Sequence, residues 1–145
     1  MTPLTMPPAV PAAAAWMRAL ALFCAATVLF LVFRDLFVAD ARDVEVWLGF
    51  EVTGRAAVLT APLHWAVFAV GAWAFWTGRP WTVPAAAGYA FYVALSHLVW
   101  SEASPHGRGL SSGLAQAAAL SVPGLLLLRA HRRARSRSPA HGAPS

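Results

Sequence analysis

The stretch from residue 56 to residue 101, AAVLTAPLHWAVFAVGAWAFWTGRPWTVPAAAGYAFYVALSHLVWS, contains one formally charged residue, Arg79. An apolar run of 23 residues (56–78) precedes this arginine, and one of 22 residues (80–101) follows it. A helix needs roughly 20 mostly apolar residues to cross the ~30 Å hydrocarbon core of a bilayer. Gly78 and Pro80 flank the arginine, and these residue types mark turns. The stretch therefore predicts two antiparallel transmembrane helices joined by a short turn.

Two further apolar segments complete the predicted membrane domain of residues 16–128. Residues 109–128 carry no charge, and residues 19–33 are uncharged between Arg18 and Arg34. The composition, 59% hydrophobic and 12% charged, excludes an ordinary soluble domain, in which about 25% of residues are charged. The predicted fold class is an all-α integral membrane protein, a four-transmembrane-helix antiparallel bundle. Its spans are predicted at 16–38, 56–77, 81–101 and 109–128.

Residues 39–55 form the only long connection between predicted spans. Read as a strand, the apolar residues from Val44 to Val52 alternate; read as a helix, Val44, Trp47 and Leu48 share one face. A lone strand beside a membrane has no partner for its backbone groups. The segment is therefore predicted to be a short interfacial helix between spans one and two.

The charges divide unequally between the two sides of the predicted bundle. One side, with Arg18, Arg79 and the tail that begins at Arg129, has seven arginines and no acid, whereas the other has four arginines and all six acids. Arginine-rich flanks face the cytoplasm. We therefore predict a bacterial-type inner-membrane protein with both termini cytoplasmic and residues 39–55 outside.

The two ends of the chain are predicted to be disordered tails. Residues 1–15 are rich in proline and alanine, and residues 129–145 are rich in arginine, serine and proline. Five of the eleven arginines lie in the second tail. Because they directly follow an apolar span, they indicate attraction to anionic lipid rather than nucleic-acid binding.

The polar side chains inside the spans lie toward the predicted outer surface. At 1.5 Å per residue, His64, Tyr92 and Gln116 lie about 13, 15 and 12 Å below that surface, and His97 lies about 7 Å below it. Since intramembrane ionisable residues are costly and often functional, we predict one outward-facing polar pocket. The catalytic candidates are His64, His97, Glu51 and Glu102, and the ligand-binding candidates are Tyr92, Gln116, Trp65 and Ser96.

Several of these residues also have a structural interpretation. His97 is close enough to the interface to be wetted by water. His64 follows Pro62, whose ring frees a backbone carbonyl that the imidazole can satisfy. Gln116 and Ser112 fit a hydrogen bond between or within helices.

The predicted function is that of a non-catalytic subunit or binding module with this pocket. The alternative is a small membrane enzyme or redox protein that uses His64 and His97 with outer carboxylates on a lipid-soluble substrate. Three chemistries fit this alternative. They are acid–base catalysis, redox chemistry at a bis-histidine haem between spans two and three and chemistry at a bound metal ion. Metal binding is weakly indicated, because no two histidines have the i, i+4 spacing of a helical ligand pair.

A stripe of small residues on span four is suited to close helix packing. Gly109, Gly113 and Ala117 recur at four-residue spacing, the pattern of small-xxx-small helix contacts. The stripe predicts packing within the bundle, in a homo-oligomer or against a larger membrane-protein partner.

Overall fold

The computed structural model describes residues 14–38 and 43–137. Within these residues it contains four helices and one two-stranded sheet. Each helix is long and apolar enough to cross a membrane, so the prediction of four apolar helices of membrane-spanning length is confirmed. The elements are α1 (Ala15–Phe37), β1 (Val44–Trp47), β2 (Phe50–Thr53), α2 (Arg55–Trp76), α3 (Thr82–Ala103) and α4 (Gly109–Arg137).

The first two helices form an antiparallel pair. At one end, the guanidinium of Arg18 lies 6.0 Å from the centroid of the Trp76 ring. At the other end, the indole Nε1 of Trp65 donates a 2.8 Å hydrogen bond to Asp35. Between these contacts, small residues allow the two helix backbones to approach closely, as in other membrane helix pairs.

The last two helices form a second antiparallel pair. Gly113 packs against Leu98 of α3, and Gly124 packs against Phe91 near the other end. The two pairs touch each other less, because α1 packs mainly on α2 and α3 mainly on α4. One direct contact between the pairs is the edge-to-face contact of Phe68 and Tyr89, whose ring centroids are 5.6 Å apart.

Small residues are buried and large apolar residues are exposed. Ala57, Ala74 and Ala87 are fully buried, whereas Leu29 and Leu59 are 73% and 77% exposed. This distribution fits a lipid solvent, because small side chains let helices approach and large apolar ones contact acyl chains. The surface of these helices is therefore suited to a bilayer.

Residues 44–53 form an antiparallel β-hairpin, so the prediction of an interfacial helix is wrong for this segment. Val44 pairs with Thr53 across the two strands. Leu48 and Gly49 both have positive φ, 52° and 87°, as a two-residue type I′ turn requires. The sequence argument considered only a lone strand, whereas the segment folds back and satisfies its own backbone groups. Residues 39–42 of the predicted linker lie outside the described residues.

The last helix is longer than predicted. It ends at Arg137, so the prediction of disorder from residue 129 is wrong for residues 129–137. Leucine, alanine and arginine are good helix formers, and no glycine or proline interrupts residues 125–137. The predicted disorder of residues 1–13 and 138–145 lies outside the described part of the chain.

The tip of the hairpin lies directly on α3. A Cβ at Gly49 would overlap Val99 and would lie 2.7 Å from the carbonyl oxygen of Ser96. The backbone N–H of Leu48 donates a 3.2 Å hydrogen bond to the hydroxyl of Tyr92. A residue without a side chain is therefore required where the turn meets the helix.

We predict that Gly49→Ala destabilises the protein more than Gly54→Ala. Both glycines have positive φ, but an added Cβ at Gly54 has nothing within 4 Å. The overlap at Gly49 should lower the free energy of unfolding by an additional 1–3 kcal/mol, roughly the cost of overpacking. Sodium dodecyl sulfate titration in micelles, followed by tryptophan fluorescence, measures this difference.

Hydrogen exchange of the hairpin gives a local check on the same pair of variants. Gly49→Ala should speed exchange of the Leu48 amide, because undocking breaks its bond to Tyr92. Equal stability and equal exchange in the two variants would mean that the hairpin is not held against α3.

Candidate functional site

A cavity of about 370 Å³ lies between the hairpin and helices α2 and α3. Its walls combine aliphatic, aromatic and a few polar side chains. The cavity brings together five of the eight sequence-predicted site residues, namely Glu51, His64, Tyr92, Ser96 and His97. The remaining lining residues are Val44, Val46, Tyr89, Val93 and Trp100.

The pairing of the two strands determines which hairpin residues reach the cavity. Val46 is paired with Glu51, and paired residues point to the same face of a sheet. Val44 shares that face with Val46, because side chains alternate along a strand. These three side chains line the cavity, while Glu45 and Trp47 contact His64 from the other face.

A buried carboxylate joins the hairpin to both helices of the first pair. Glu45 is only 4% exposed. Its Oε1 accepts a 2.5 Å bond from Nη2 of Arg34 at the end of α1, and its Oε2 lies 2.7 Å from Nδ1 of His64 in α2. A buried charge is tolerated only when it is paired in this way.

Asp35 extends this network along α1. It is also 4% exposed, and it accepts bonds from Nε of Arg34 at 2.6 Å and from Nε1 of Trp65 at 2.8 Å. One guanidinium therefore binds two buried carboxylates. The predicted ligand-binding candidate Trp65 belongs to this network rather than to the cavity lining.

His64 is held in one orientation by two contacts. The indole of Trp47 stacks on the imidazole with ring centroids 4.1 Å apart and planes 2° apart. Nδ1 is the ring nitrogen that lies at hydrogen-bond distance from the carboxylate of Glu45. Nε2 makes no hydrogen bond to the residues that the structure describes. A neutral imidazole bound like this presents Nε2 as a lone-pair acceptor, base or ligand atom.

Glu51 is an ionised group on the hairpin wall of the cavity. Its Oε1 accepts a 2.6 Å bond from the hydroxyl of Ser104 and a 2.8 Å bond from Nε1 of Trp100. Nδ1 of His106 lies 3.6 Å from the same oxygen. The hydrogen bond from Ser104, followed by that from Trp100, lowers the pKa of Glu51 below its ordinary value.

Ser96 brings an unpaired polar group to the cavity. Its side chain lines the cavity and is only 9% exposed. Its Oγ has no hydrogen-bond partner among the described residues. Protein atoms cover this oxygen, and leaving a buried hydroxyl unpaired costs about 1–3 kcal/mol, so rotation of the Ser96 side chain toward a hydrogen-bonding group in the cavity would be favourable.

Two further predicted residues do not line the cavity. Gln116 donates a 3.1 Å hydrogen bond to Ser112 of its own helix, and Glu102 is exposed. Among the described residues, no group of three or more His, Cys, Asp or Glu side chains is arranged to hold a metal ion.

Sequence reasoning missed the residues that orient His64 and cover it. Glu45 and Trp47 lie two residues apart on β1, and Arg34 lies at the end of α1. The alternation from Val44 to Val52 was the signal for them, because a strand places Glu45 and Trp47 on one face.

Comparison of the chain with protein-family models, with curated proteins and with solved structures finds no match. Functional inference therefore starts from the geometry of the cavity and from the charges around it.

We predict that Glu45→Gln lowers the free energy of unfolding by about 3 kcal/mol, because it removes one partner of a buried ion pair. Glu102→Gln is the matched control, since it makes the same chemical change on an exposed side chain and should alter stability by less than about 0.5 kcal/mol. Denaturant titration of the purified protein in micelles measures both values. A Glu45→Gln variant as stable as the control would show that the buried network does not stabilise the fold.

A second prediction concerns acid stability. The folded state holds the pKa of Glu51 below about 4.3, the value of an unfolded glutamate. The ionised carboxylate therefore stabilises the fold above that pH, and this stabilisation is lost as the pH falls through the lower folded pKa. Ser104→Ala removes the hydrogen bond that lowers the pKa most.

The melting temperatures of the wild type and Ser104→Ala should therefore differ at pH 7 and converge as the pH falls to about 3, below the usual glutamate pKa. Ser111→Ala, an exposed serine on α4, is the control and should follow the wild type at every pH. A difference between wild type and Ser104→Ala that is the same at pH 7 and pH 3 would contradict the assignment.

Proposed function

We propose that this chain is a membrane-embedded binding module that takes up a small, mainly apolar molecule carrying a hydrogen-bonding group. The observation that carries the proposal is the cavity of about 370 Å³, whose wall combines valines with a few polar side chains that include Ser96 and His97. Small-molecule sites have volumes of about 300–1,000 Å³ and combine apolar walls with a few polar groups. Both properties support this reading.

The chemistry of the walls supports a lipid-soluble ligand. Val44 and Val46 of the hairpin and Val93 of α3 line the cavity together with tyrosines and a tryptophan of α3. The carboxylate of Glu51 is already bound by Ser104 and Trp100. The polar groups left near a ligand are the hydroxyls of Tyr89 and Ser96, the imidazole of His97 and Nε2 of His64, which suit one polar end of an otherwise apolar molecule.

The distribution of charge supports a position in the bacterial-type cytoplasmic membrane. The hairpin end contains Asp35, Glu45 and Glu51, whereas the opposite end contains Arg18, Arg79 and the arginines of α4. By the positive-inside rule, the arginine-rich end and both termini face the cytoplasm. The cavity then lies near the outer surface of the membrane, and an apolar ligand reaches it from the surrounding lipid.

Filling the cavity tests the proposal. Val93→Phe places a ring in the cavity wall, while Val122→Phe makes the same change on an exposed position of α4. We expect one small molecule per chain in organic extracts of the purified wild type and of Val122→Phe, and little in extracts of Val93→Phe. Mass spectrometry of the extracts measures this, and melting temperatures show that both variants are folded.

A wild-type extract without any stoichiometric compound would oppose the proposal. The same amount of compound in the extract of a folded Val93→Phe variant would show that the compound binds elsewhere.

Ser96→Ala should weaken binding of the extracted compound by about 2–10-fold, the worth of one ordinary hydrogen bond. Titration of the compound into wild type and variant in micelles measures the two values of Kd. Ser111→Ala should leave Kd unchanged. An unchanged Kd in Ser96→Ala would mean that the buried hydroxyl does not contact the ligand.

One observation favours a second candidate function, acid–base catalysis on the bound molecule. The bond between His64 Nδ1 and Glu45 resembles the arrangement in which a carboxylate orients a catalytic base. A base that removes a proton from carbon exchanges it with solvent. Incubation of the compound with the protein in deuterium oxide should then introduce deuterium, and His64→Gln should abolish this while binding persists. No deuterium in the presence of wild-type protein would leave a binding module.

Haem, metal and protein partners remain predictions from the sequence. His64 and His97 both line the cavity, and a Soret band or a stoichiometric metal in the purified protein would indicate a redox function. Gly113 packs against α3 within the chain. Gly109 and Ala117 share that face of α4, so a homo-oligomer or a larger membrane partner on the small-residue stripe would compete with α3 for it.

A further inference from the structure

A second cavity, of about 410 Å³, lies at the opposite end of the helices from the hairpin. We call it the tail-end cavity. Its walls come from the beginning of α1, the turn between α2 and α3, and the last turns of α4, and they include Trp16, Arg79, His131 and Arg135. It shares no residue with the cavity under the hairpin.

The unexpected length of α4 creates one wall of this cavity. Residues 130, 131, 134 and 135 line it, and residues with these spacings lie on one face of a helix. Arg132, Arg133 and Arg135 are all exposed, but of these three only Arg135 is part of the lining. The helix therefore selects which of the basic residues at the end of the chain reach the cavity.

The positive charge of this cavity has no acidic partner among the described residues. Arg79, His131 and Arg135 make no ion pair with any described residue. The six acids of the chain are at positions 35, 40, 43, 45, 51 and 102, and none lies in the turn between α2 and α3 or in α4. The guanidinium of Arg79 is instead stacked over Trp73, 4.8 Å from the ring centroid.

The other walls are apolar and lie at the end of the membrane-spanning segments. Met17 of α1, Pro80 of the turn and Val83 of α3 line this part. Trp16 belongs to the residue type that is enriched at membrane–water interfaces. The cavity thus combines two permanent cations with a hydrocarbon surface, which matches an anion attached to an acyl chain.

We propose that the tail-end cavity binds the phosphate of an anionic phospholipid, with Arg79 and Arg135 contacting the head group. Arginine binds phosphate through charge-assisted hydrogen bonds, and basic pockets between helices are known to bind anionic head groups. A lipid fits better than free phosphate because the apolar walls contact its glycerol and acyl carbons. This inference does not depend on the function proposed for the other cavity.

Native mass spectrometry in micelles, with dioleoylphosphatidylglycerol as the probe, tests the proposal. The variant Arg79→Gln with Arg135→Gln should weaken binding of one lipid by about 10-fold or more, as expected for the loss of charge-assisted hydrogen bonds. The matched control is Arg132→Gln with Arg133→Gln, which removes the same charge outside the cavity. It should change the affinity by less than about 2-fold, because neither of these two guanidiniums lines the cavity, and exposed charges away from a ligand contribute little.

Equal weakening by the two double variants would overturn the proposal in favour of diffuse attraction by the basic helix. Equal binding of dioleoylphosphatidylethanolamine would also overturn it, because that lipid has no net charge. Inorganic phosphate that displaces the lipid at millimolar concentration, and stabilises the protein equally, would show a free-anion site instead. Arg135→Gln alone, compared with Arg132→Gln alone, gives the same test with a smaller effect if the double variant does not fold.

Discussion

The ion pair between Glu45 and Arg34 is the contact on which the hairpin end of the molecule depends. The carboxylate is almost completely buried, and its second oxygen is bound by His64. Taking such a charge out of water costs several kcal/mol unless it is fully paired. Strand β1 can therefore lie against the helices only when α1 and α2 are in place. The same contact fixes the imidazole of His64, so one carboxylate positions both the hairpin and a wall of the cavity.

The four helices could be predicted because their signal is local. A run of about 20 uncharged residues has few alternatives in a bilayer, and the turn at Gly78, Arg79 and Pro80 determines that α2 and α3 are neighbours. The hairpin could not be predicted in the same way. Its stability comes from pairing between Val46 and Glu51 and from buried contacts with distant helices. The alternation of residue types within ten residues gives no information about those contacts.

The candidate site was predictable only in part, for a related reason. Depth along each helix follows from the rise per residue, and it predicted one outer layer for His64, Tyr92 and Ser96, all three of which line the cavity under the hairpin. Rotation about the helix axis does not follow from depth. Gln116 therefore bonds within its own helix, and Trp65 bonds to Asp35. The role of Glu45 depended on the hairpin and was not accessible without it.

The cavity under the hairpin takes its walls from two helix pairs that otherwise touch little. His64 belongs to the α1–α2 pair and Tyr89, Ser96 and Trp100 belong to the α3–α4 pair, while the hairpin contacts both pairs. A molecule bound in the cavity contacts both pairs at once. By mass action, its binding free energy adds to the free energy that holds the two pairs together. Filling the cavity therefore stabilises the packing of the two helix pairs, and tighter packing of the pairs favours filling of the cavity.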